Sequence, residues 1–99
     1  MIRDAATRVI PVVQGEHAIS DDPDAILTTV LGSCVSACIM DADRGIGGLN
    51  HFLLPDAGPG GPDIRYAAAA MEVLVNGLMR RGAVRSRLRA KLFGGARMM

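Results

Sequence analysis

A single amphipathic pattern between Tyr66 and Arg81 limits the possible folds more than any other feature of this sequence. Apolar residues recur in it at spacings of three and four, as on one face of an α-helix. These residues are Ala67, Ala70, Met71, Leu74, Val75, Leu78 and Met79. Gly82 follows, and glycine commonly ends a helix. The pattern predicts one main helix, whose apolar face must be covered by the rest of the chain.

The segments before this helix are short and rich in β-branched residues, which favour strands. Ile26–Leu31 and Val35–Met40 are two such runs, and Gly32–Ser33 between them permits a sharp bend. Turn-forming residues at Asp41–Arg44 separate the second run from an extended segment at Gly45–Pro55, which indicates a β-hairpin. The sequence therefore predicts an α+β fold, in which a hairpin-rich sheet packs with one main helix.

Two less regular regions flank these elements. Val9–Val13, which contains a proline, and Ala18–Ile19 are typical of edge strands, and an acidic turn follows at Ser20–Asp24. Residues 56–62 form a connection rich in glycine and proline, and Asp63 after it is a candidate cap for the helix.

The C-terminal region carries most of the positive charge. Residues 1–79 hold ten acidic and four basic residues, whereas seven basic and no acidic residues occur between Arg80 and Arg97. Arg85–Phe93 alternates, which predicts a strand with its basic side chains opposite its leucines. The basic residues are Arg85, Arg87, Arg89 and Lys91, and the leucines are Leu88 and Leu92. Such a basic tract is compatible with binding to nucleic acid, although a solvent-exposed edge of the fold is the simpler interpretation.

Composition excludes several classes of protein. With 99 residues, 49% hydrophobic and 21% charged, the chain is expected to form one domain spanning residues 1–99 rather than a disordered segment. Aromatic residues are only 3%, which disfavours an RNA-binding module that stacks bases on aromatic rings. Two cysteines do not make a disulfide scaffold, and neither a signal peptide nor an apolar run of about 20 residues is visible. A cytoplasmic protein without membrane insertion is expected.

The side chains with catalytic or metal-binding chemistry are Cys34, Cys38, His51 and His17. Zinc is one interpretation of this set. In an extended strand, however, Cys34 and Cys38 stand about 13 Å apart, too far to share one ion with zinc–sulfur bonds near 2.3 Å. No metal is therefore expected.

A cysteine nucleophile is the second interpretation. Cys34 follows the Gly32–Ser33 bend, where backbone N–H groups can converge to activate a thiol and to stabilise an oxyanion, and His51 lies on the neighbouring predicted strand. The alternative is that Cys34 is a small buried apolar residue, as Cys38 is expected to be.

A third residue would have to hold the imidazole of His51. Asn50 is adjacent in sequence, but adjacent residues of a strand point to opposite faces. Thr28 and Cys34 share a face by alternation along a strand. In a straight strand the two side chains would stand far apart, so the chain must bend at Gly32–Ser33 to bring them together. Thr28 is therefore the better candidate.

These motifs together resemble those of the CheD family of chemoreceptor glutamine deamidases. The resemblance rests on TTVLGSCVSACIMD from Thr28 to Asp41 and on GGLNHFLLP from Gly47 to Pro55. The helix from Arg65 to Met79 and the segment KLFGGA from Lys91 to Ala96 follow in the family's order. The similar part extends from about Ile26 onward, within a CheD-like cysteine-hydrolase sandwich.

The resemblance implies an activity and a site. The activity is that of a protein-glutamine glutaminase, which hydrolyses glutamine side chains of methyl-accepting chemotaxis receptors to glutamate. Cys34 matches the family's nucleophile, His51 its general base and Thr28 its third member, while Gly32 and Ser33 form the turn beside the oxyanion. No cofactor is implied, and a CheC-type phosphatase is a possible partner besides the receptors. The alternative is an inactive relative that binds the receptor or the phosphatase without turnover.

The resemblance also predicts that the domain is incomplete at its C-terminus, because family members continue beyond the FGGA segment with further strands. Leu88–Phe93 would then be a strand with an uncovered edge and one uncovered apolar face.

Overall fold

Two sheets of unequal size hold the strands of the described residues, 7–54 and 64–94, in the computed structural model. The strands are β1 (Arg8–Pro11), β2 (His17–Ser20), β3 (Ala25–Thr28), β4 (Val35–Asp41), β5 (Ile46–Asn50) and β6 (Arg89–Gly94). Helix α1 spans Ile64–Arg80, and a short 3-10 helix spans Arg85–Arg87. The α+β fold predicted from the sequence is confirmed.

The larger sheet is antiparallel, with the strand order β2-β5-β4-β6. The predicted hairpin is its centre: β4 and β5 pair with Cys38 opposite Leu49 and Asp41 opposite Ile46. Gly45 closes the turn between them with a φ of +66°, a backbone conformation that glycine adopts without strain. The smaller sheet is the parallel pair β1-β3, in which Pro11 lies opposite Thr28.

Helix α1 packs on one face of the larger sheet. The buried core there consists of Ala37, Ile39, Ile46, Leu74, Leu78 and Ala83. Two glycines allow the helix to approach closely: a Cβ on Gly48 would lie 2.8 Å from Leu74 Cδ1, and one on Gly77 would lie 2.5 Å from Ile19 Cδ1. Most of the predicted apolar face of the helix therefore faces the core, whereas Met79, which was predicted on that face, is exposed.

The helix ends as its sequence predicts. Gly82 has a φ of +104°, its N–H donates to the Met79 carbonyl at 3.0 Å, and the Ala83 N–H donates to the Leu78 carbonyl at 3.0 Å. This pair of bonds satisfies carbonyls that the last turn would otherwise leave free. The predicted cap at Asp63 and the connection 56–62 lie outside the described residues. Within the described residues, no helix combines the length and the apolar character that a membrane span requires.

The prediction of one continuous strand over Arg85–Phe93 is wrong. Arg85–Arg87 forms a 3-10 turn, and the strand begins only at Arg89. Leu88 packs against the core, whereas Leu92 is 67% exposed, so the two leucines do not share one environment. Strand β6 is paired along β4 and forms an edge of the larger sheet.

A buried carboxylate explains why the chain turns before β6. Asp41, at the end of β4, is fully buried, accepts the Val84 N–H at 2.8 Å and lies 3.4 Å from Arg87 Nε. The Val84 N–H lowers the pKa of Asp41 below its ordinary value, burial opposes this, and the Arg44 N–H and the Arg87 charge lower the pKa further. The 3-10 turn brings Arg87 to this carboxylate, an arrangement that a continuous strand does not provide.

Among the described residues, the β1-β3 pair covers part of the face of the larger sheet away from the helix. Side chains alternate along β4, so that Cys38 and Ser36 lie opposite in direction to Ala37 and Ile39. A cavity of about 500 Å³ separates Leu27 of β3 from Cys38 and Leu49. A second cavity, of about 450 Å³, is lined by Thr28, Thr29, Leu31, Ser36, Phe93 and their neighbours.

Candidate active site

Cys34 lies directly after a bend, as the sequence predicts. Gly32 and Ser33 are exposed bend residues, while Cys34 is only 8% exposed. Strand pairing begins at the next residue, where Val35 and Phe52 exchange two backbone hydrogen bonds of 2.8 Å. The amides of Ser33 and Cys34 therefore precede the first bonds of the ladder.

His51 lies on the same side of the sheet as Cys34. Because Val35 is opposite Phe52 and Cys38 is opposite Leu49, the register places His51 opposite Ser36. Cys34 is then the diagonal neighbour of His51, at a Cα separation of about 7–8 Å. His51 is 8% exposed, and its Nδ1 lies beside Thr29 and the Val12 carbonyl, just beyond the ends of β3 and β1. The strand register thus brings the two predicted residues together.

Thr29 holds the imidazole. His51 Nδ1 lies 2.8 Å from Thr29 Oγ1 and 3.4 Å from the Val12 carbonyl oxygen, and Thr29 Oγ1 donates its proton to that carbonyl at 2.7 Å. With the hydroxyl proton used on the Val12 carbonyl, both groups beside Nδ1 are acceptors, an arrangement that favours the tautomer with its proton on Nδ1. Nε2 is then the unprotonated nitrogen, which is the form that a general base requires.

The hydroxyl beside His51 Nδ1 belongs to Thr29 and not to Thr28, so Thr28 as the third member of the site stays a prediction. Strand β3 ends at Thr28 and the chain then leaves regular strand geometry, so the alternation of faces does not extend from Thr28 to Cys34. Thr29 is the residue that turns towards His51. The Gly32–Ser33 bend indicated that the strand must end, but no sequence signal fixed the residue at which it ends.

A tight turn between β1 and β2 is attached to the backbone of His51. Gly15 donates its N–H to the His51 carbonyl at 2.8 Å, and His51 donates its N–H to the Glu16 carbonyl at 3.1 Å. Gln14 of the same turn approaches the cysteine, with its Oε1 3.6 Å from Cys34 Sγ. Sequence reasoning missed Gln14, because the contact joins residues 20 positions apart through a turn whose partner is visible only in the fold.

The side chains of Asn50 and Ser36 form hydrogen bonds between β4 and β5 beside the site. Ser36 Oγ donates to the Asn50 carbonyl, and the Ala37 N–H donates to Asn50 Oδ1 at 2.7 Å. Both side chains are buried. The side chain of Asn50 therefore bonds to β4, in agreement with the expectation that it does not orient His51.

The remaining candidates lie apart from this arrangement. Cys38 is half-buried and lines the 500 Å³ cavity, and His17 is exposed on β2, as expected for a solvated strand residue. Among residues 7–54 and 64–94, no three His, Cys, Asp or Glu side chains are grouped as metal ligands would be.

Gly94 supports the backbone of Cys34 from the edge strand. Its φ is +102°, and a Cβ at this position would overlap the Cys34 carbonyl oxygen. The end of β6 therefore contacts the backbone of Cys34 with no space for a side chain.

Comparison with known proteins agrees with the resemblance found in the sequence. Residues 53–99 match a family model described as CheD chemotactic sensory transduction. A protein of Caulobacter vibrioides named probable chemoreceptor glutamine deamidase CheD is 56% identical over 92 residues, which cover 90% of this chain and 49% of that protein. A protein of the same name from Acidiphilium cryptum is 57% identical over 97 residues, covering 93% of this chain and 51% of its own length. The corresponding protein of Agrobacterium fabrum is 51% identical over 96 residues, with coverages of 95% and 53%.

The chain spans about half the length of the curated relatives that it matches. The relation to CheD proteins is confirmed within that half, which contains Cys34 and His51.

Proposed function

Because this chain is related to CheD proteins over nearly all of its length, we propose that it carries the catalytic residues of a chemoreceptor glutamine deamidase. The reaction is hydrolysis of a glutamine side-chain amide to glutamate on a chemoreceptor. One observation carries the proposal: the strand register makes Cys34 and His51 diagonal neighbours, and two oxygens beside His51 Nδ1 favour the tautomer with its proton there. Nε2 is thereby available to accept the thiol proton.

The proposed reaction is an acyl transfer in two stages. His51 Nε2 takes the proton of Cys34, the sulfur attacks the carbonyl carbon of the substrate glutamine, and the C–N bond breaks as ammonia leaves with the proton from His51. Water, activated by the same imidazole, then cleaves the thioester to give glutamate and the free thiol. The amides of Ser33 and Cys34, which precede the strand ladder, are suited to stabilising the oxyanion.

Two threonines have different claims to the third catalytic position. Thr29 is the residue with a hydrogen bond to His51 Nδ1, so we propose it as the positioning residue. Thr28 is the residue that the family resemblance implies, and its role stays a prediction. The two are adjacent and chemically identical, which makes each the matched control for the other.

The proposed setting is the cytoplasm, where the chemoreceptor is the substrate and a CheC-type phosphatase is a second protein partner. No metal or organic cofactor enters the proposed chemistry. The alternative function is a binding module without turnover. Burial of both site residues and the fixed tautomer of His51 favour the enzyme, because a binding surface needs neither.

Mass spectrometry of a receptor cytoplasmic fragment tests the activity. Each conversion of glutamine to glutamate adds about one dalton, and the proposed mechanism needs the thiol of Cys34. We expect Cys34→Ser to abolish conversion and Cys38→Ser to retain most of it. Equal loss in both variants would contradict a nucleophilic role specific to Cys34, and no conversion by the unaltered chain would favour the binding module.

Alkylation by iodoacetamide provides a test that does not need the receptor. Cys34 is buried, whereas Cys38 is half-buried, so access alone predicts faster labelling of Cys38. Activation by His51 predicts the opposite order, with a rate at Cys34 that depends on the imidazole. Faster labelling of Cys34 that is lost in His51→Gln would support the proposed pair; faster labelling of Cys38 would argue against it.

A further inference from the structure

The side-chain amide nearest to the proposed nucleophile belongs to the chain itself. Gln14 Oε1 accepts a hydrogen bond from Cys34 Sγ at 3.6 Å. We propose that Gln14 is a self-deamidation site, which Cys34 converts to glutamate within the same molecule. This inference rests on the proposed glutamine deamidase function and adds to it a second, internal substrate.

The position of Gln14 is fixed by backbone contacts to the site. Val13 and Glu16 close the turn with a 3.0 Å hydrogen bond, and Gly15 at the next position has a φ of +87°. The neighbours of Gln14 also bind His51, since Gly15 donates to its carbonyl and Glu16 accepts its N–H. The turn therefore places Gln14 beside the site, because the residues that follow Gln14 are hydrogen-bonded to the backbone of the proposed base.

The distance suits attack after a small movement. A carbonyl carbon lies about 1.2 Å from its oxygen, so the Cδ of Gln14 is within about 5 Å of Cys34 Sγ, whereas reacting atoms approach to about 3–3.5 Å. The Gln14 side chain is exposed, so rotation about its side-chain bonds can supply the remaining movement. No rearrangement of the backbone is needed.

The internal reaction follows the same two stages as the proposed reaction on the receptor, acyl transfer to the thiol and hydrolysis of the thioester. The sulfur of Cys34 bonds to Cδ of Gln14, the C–N bond breaks and ammonia leaves with the thiol proton, which His51 transfers. Water then cleaves the internal thioester, which leaves a glutamate carboxylate at position 14 and restores the thiol. The product places a negative charge beside Cys34, where it disfavours the thiolate. Self-deamidation would therefore slow the enzyme.

Peptide mass spectrometry of the purified chain tests the proposal. Gln14 is the only glutamine in the sequence, so conversion of glutamine can occur at one position only. We expect the peptide containing Gln14 to gain about one dalton during incubation in the unaltered chain and to remain unchanged in Cys34→Ala. The Asn76–Gly77 peptide serves as the internal control for spontaneous deamidation, because its rate must be the same in both proteins.

The outcomes separate the two proposals. Conversion of a receptor fragment while Gln14 stays intact would overturn self-deamidation and leave the proposed function standing. Equal conversion of Gln14 in Cys34→Ala would also overturn it, since the reaction would then be spontaneous. If neither the fragment nor Gln14 changes, both proposals fail.

Mixing distinguishes an internal reaction from one between molecules. Isotope-labelled Cys34→Ala is incubated with the unaltered chain, and Gln14 of the labelled protein is expected to remain intact. Its conversion would overturn the intramolecular geometry. The effect of the product is measured with Gln14→Glu against Gln14→Ala: we expect receptor deamidation to be about tenfold slower with the carboxylate. Equal rates would show that the conversion does not slow the enzyme.

Discussion

The two faces of the four-stranded sheet are built by different means. The face under α1 is sealed by apolar side chains and by two glycines that let the backbones approach, Gly48 and Gly77. The β1-β3 pair covers part of the other face, which retains cavities of about 500 and 450 Å³ and where hydrogen bonds join Thr29 to Val12 and to His51. The helix face therefore contains the buried apolar cluster, whose packing contributes to stability, and the opposite face holds the polar groups of the candidate site.

The site uses strands from both sheets. His51 follows β5 and Cys34 precedes β4, while Thr29 and Val12 come from the ends of β3 and β1. A change on the helix face should thus alter the free energy of unfolding, whereas a change on the opposite face should alter turnover. Substitutions on the two faces test this separation.

The largest effect is expected at Leu74, which is fully buried under the helix. Leu74→Ala should lower the free energy of unfolding by about 2–5 kcal/mol, because it removes buried methyl groups and leaves a cavity. Urea unfolding measures the change. Val73→Ala is the control on the same helix, since Val73 is 54% exposed and should change the stability by less than about 0.5 kcal/mol. A similar loss in both variants would contradict the packing of α1.

The second-largest effect is expected at Gly94, because this residue lies in the edge strand and contacts the backbone of Cys34. Gly94→Ala should cost at least about 1–2 kcal/mol from the left-handed backbone alone, and the added Cβ must also displace the Cys34 carbonyl. Both the unfolding midpoint and turnover should fall. Gly47→Ala is the control, since its Cβ would meet Ile39 and Met40 only at 3.9 Å. A Gly94→Ala variant with unchanged turnover would show that β6 does not support the site.

Thr29 should affect turnover without affecting stability to the same degree. Thr29→Val keeps the shape but removes the hydroxyl that accepts from His51 Nδ1, and a misplaced imidazole should reduce kcat about tenfold to a hundredfold. Thr29→Ser should restore most of the rate. Measurements of kcat with a receptor fragment compare these variants, and circular dichroism confirms that they are folded. A larger loss in Thr28→Val would favour the residue implied by the family resemblance.

The smallest effect is expected in the pH dependence of stability. The pKa of Asp41 is lowered in the folded protein, mainly by the Val84 N–H, so its carboxylate stabilises the fold above the ordinary carboxyl pKa. This contribution is lost as the pH falls through the lowered pKa. Asp41→Asn should therefore flatten the acid limb of the unfolding free energy.

Two comparisons control the measurement at Asp41. Asp43→Asn should keep the acid limb, because the Asp43 side chain is 72% exposed. Asp22 should leave some slope in every variant, since the Asp24 N–H and then Arg8 hold the pKa of Asp22 below its ordinary value. An unchanged limb in Asp41→Asn would mean that the buried carboxylate does not contribute to acid stability.

Local patterns predicted those parts of the fold that depend on local chemistry. The helix face, the Gly82 terminus, the Gly32–Ser33 bend and the β4-β5 hairpin all follow from side-chain periodicity or from backbone freedom. The alternation at Arg85–Phe93 predicted a continuous strand wrongly, because alternation does not reveal a buried hydrogen-bonding partner elsewhere in the chain. Asp41, more than forty residues earlier in the chain, makes the turn before β6 favourable.

The sequence by itself determined that Cys34 follows a bend and that His51 belongs to the segment of the neighbouring strand, since both depend on residues close to them in the chain. Only the tertiary structure decided that Thr29 rather than Thr28 holds the imidazole, and that Gln14 reaches the thiol. Each of these contacts joins segments about 20 residues apart or more. Their geometry depends on where β3 ends and on how the β1-β2 turn binds His51, and hydrogen bonds between distant segments leave no periodic signal in a sequence.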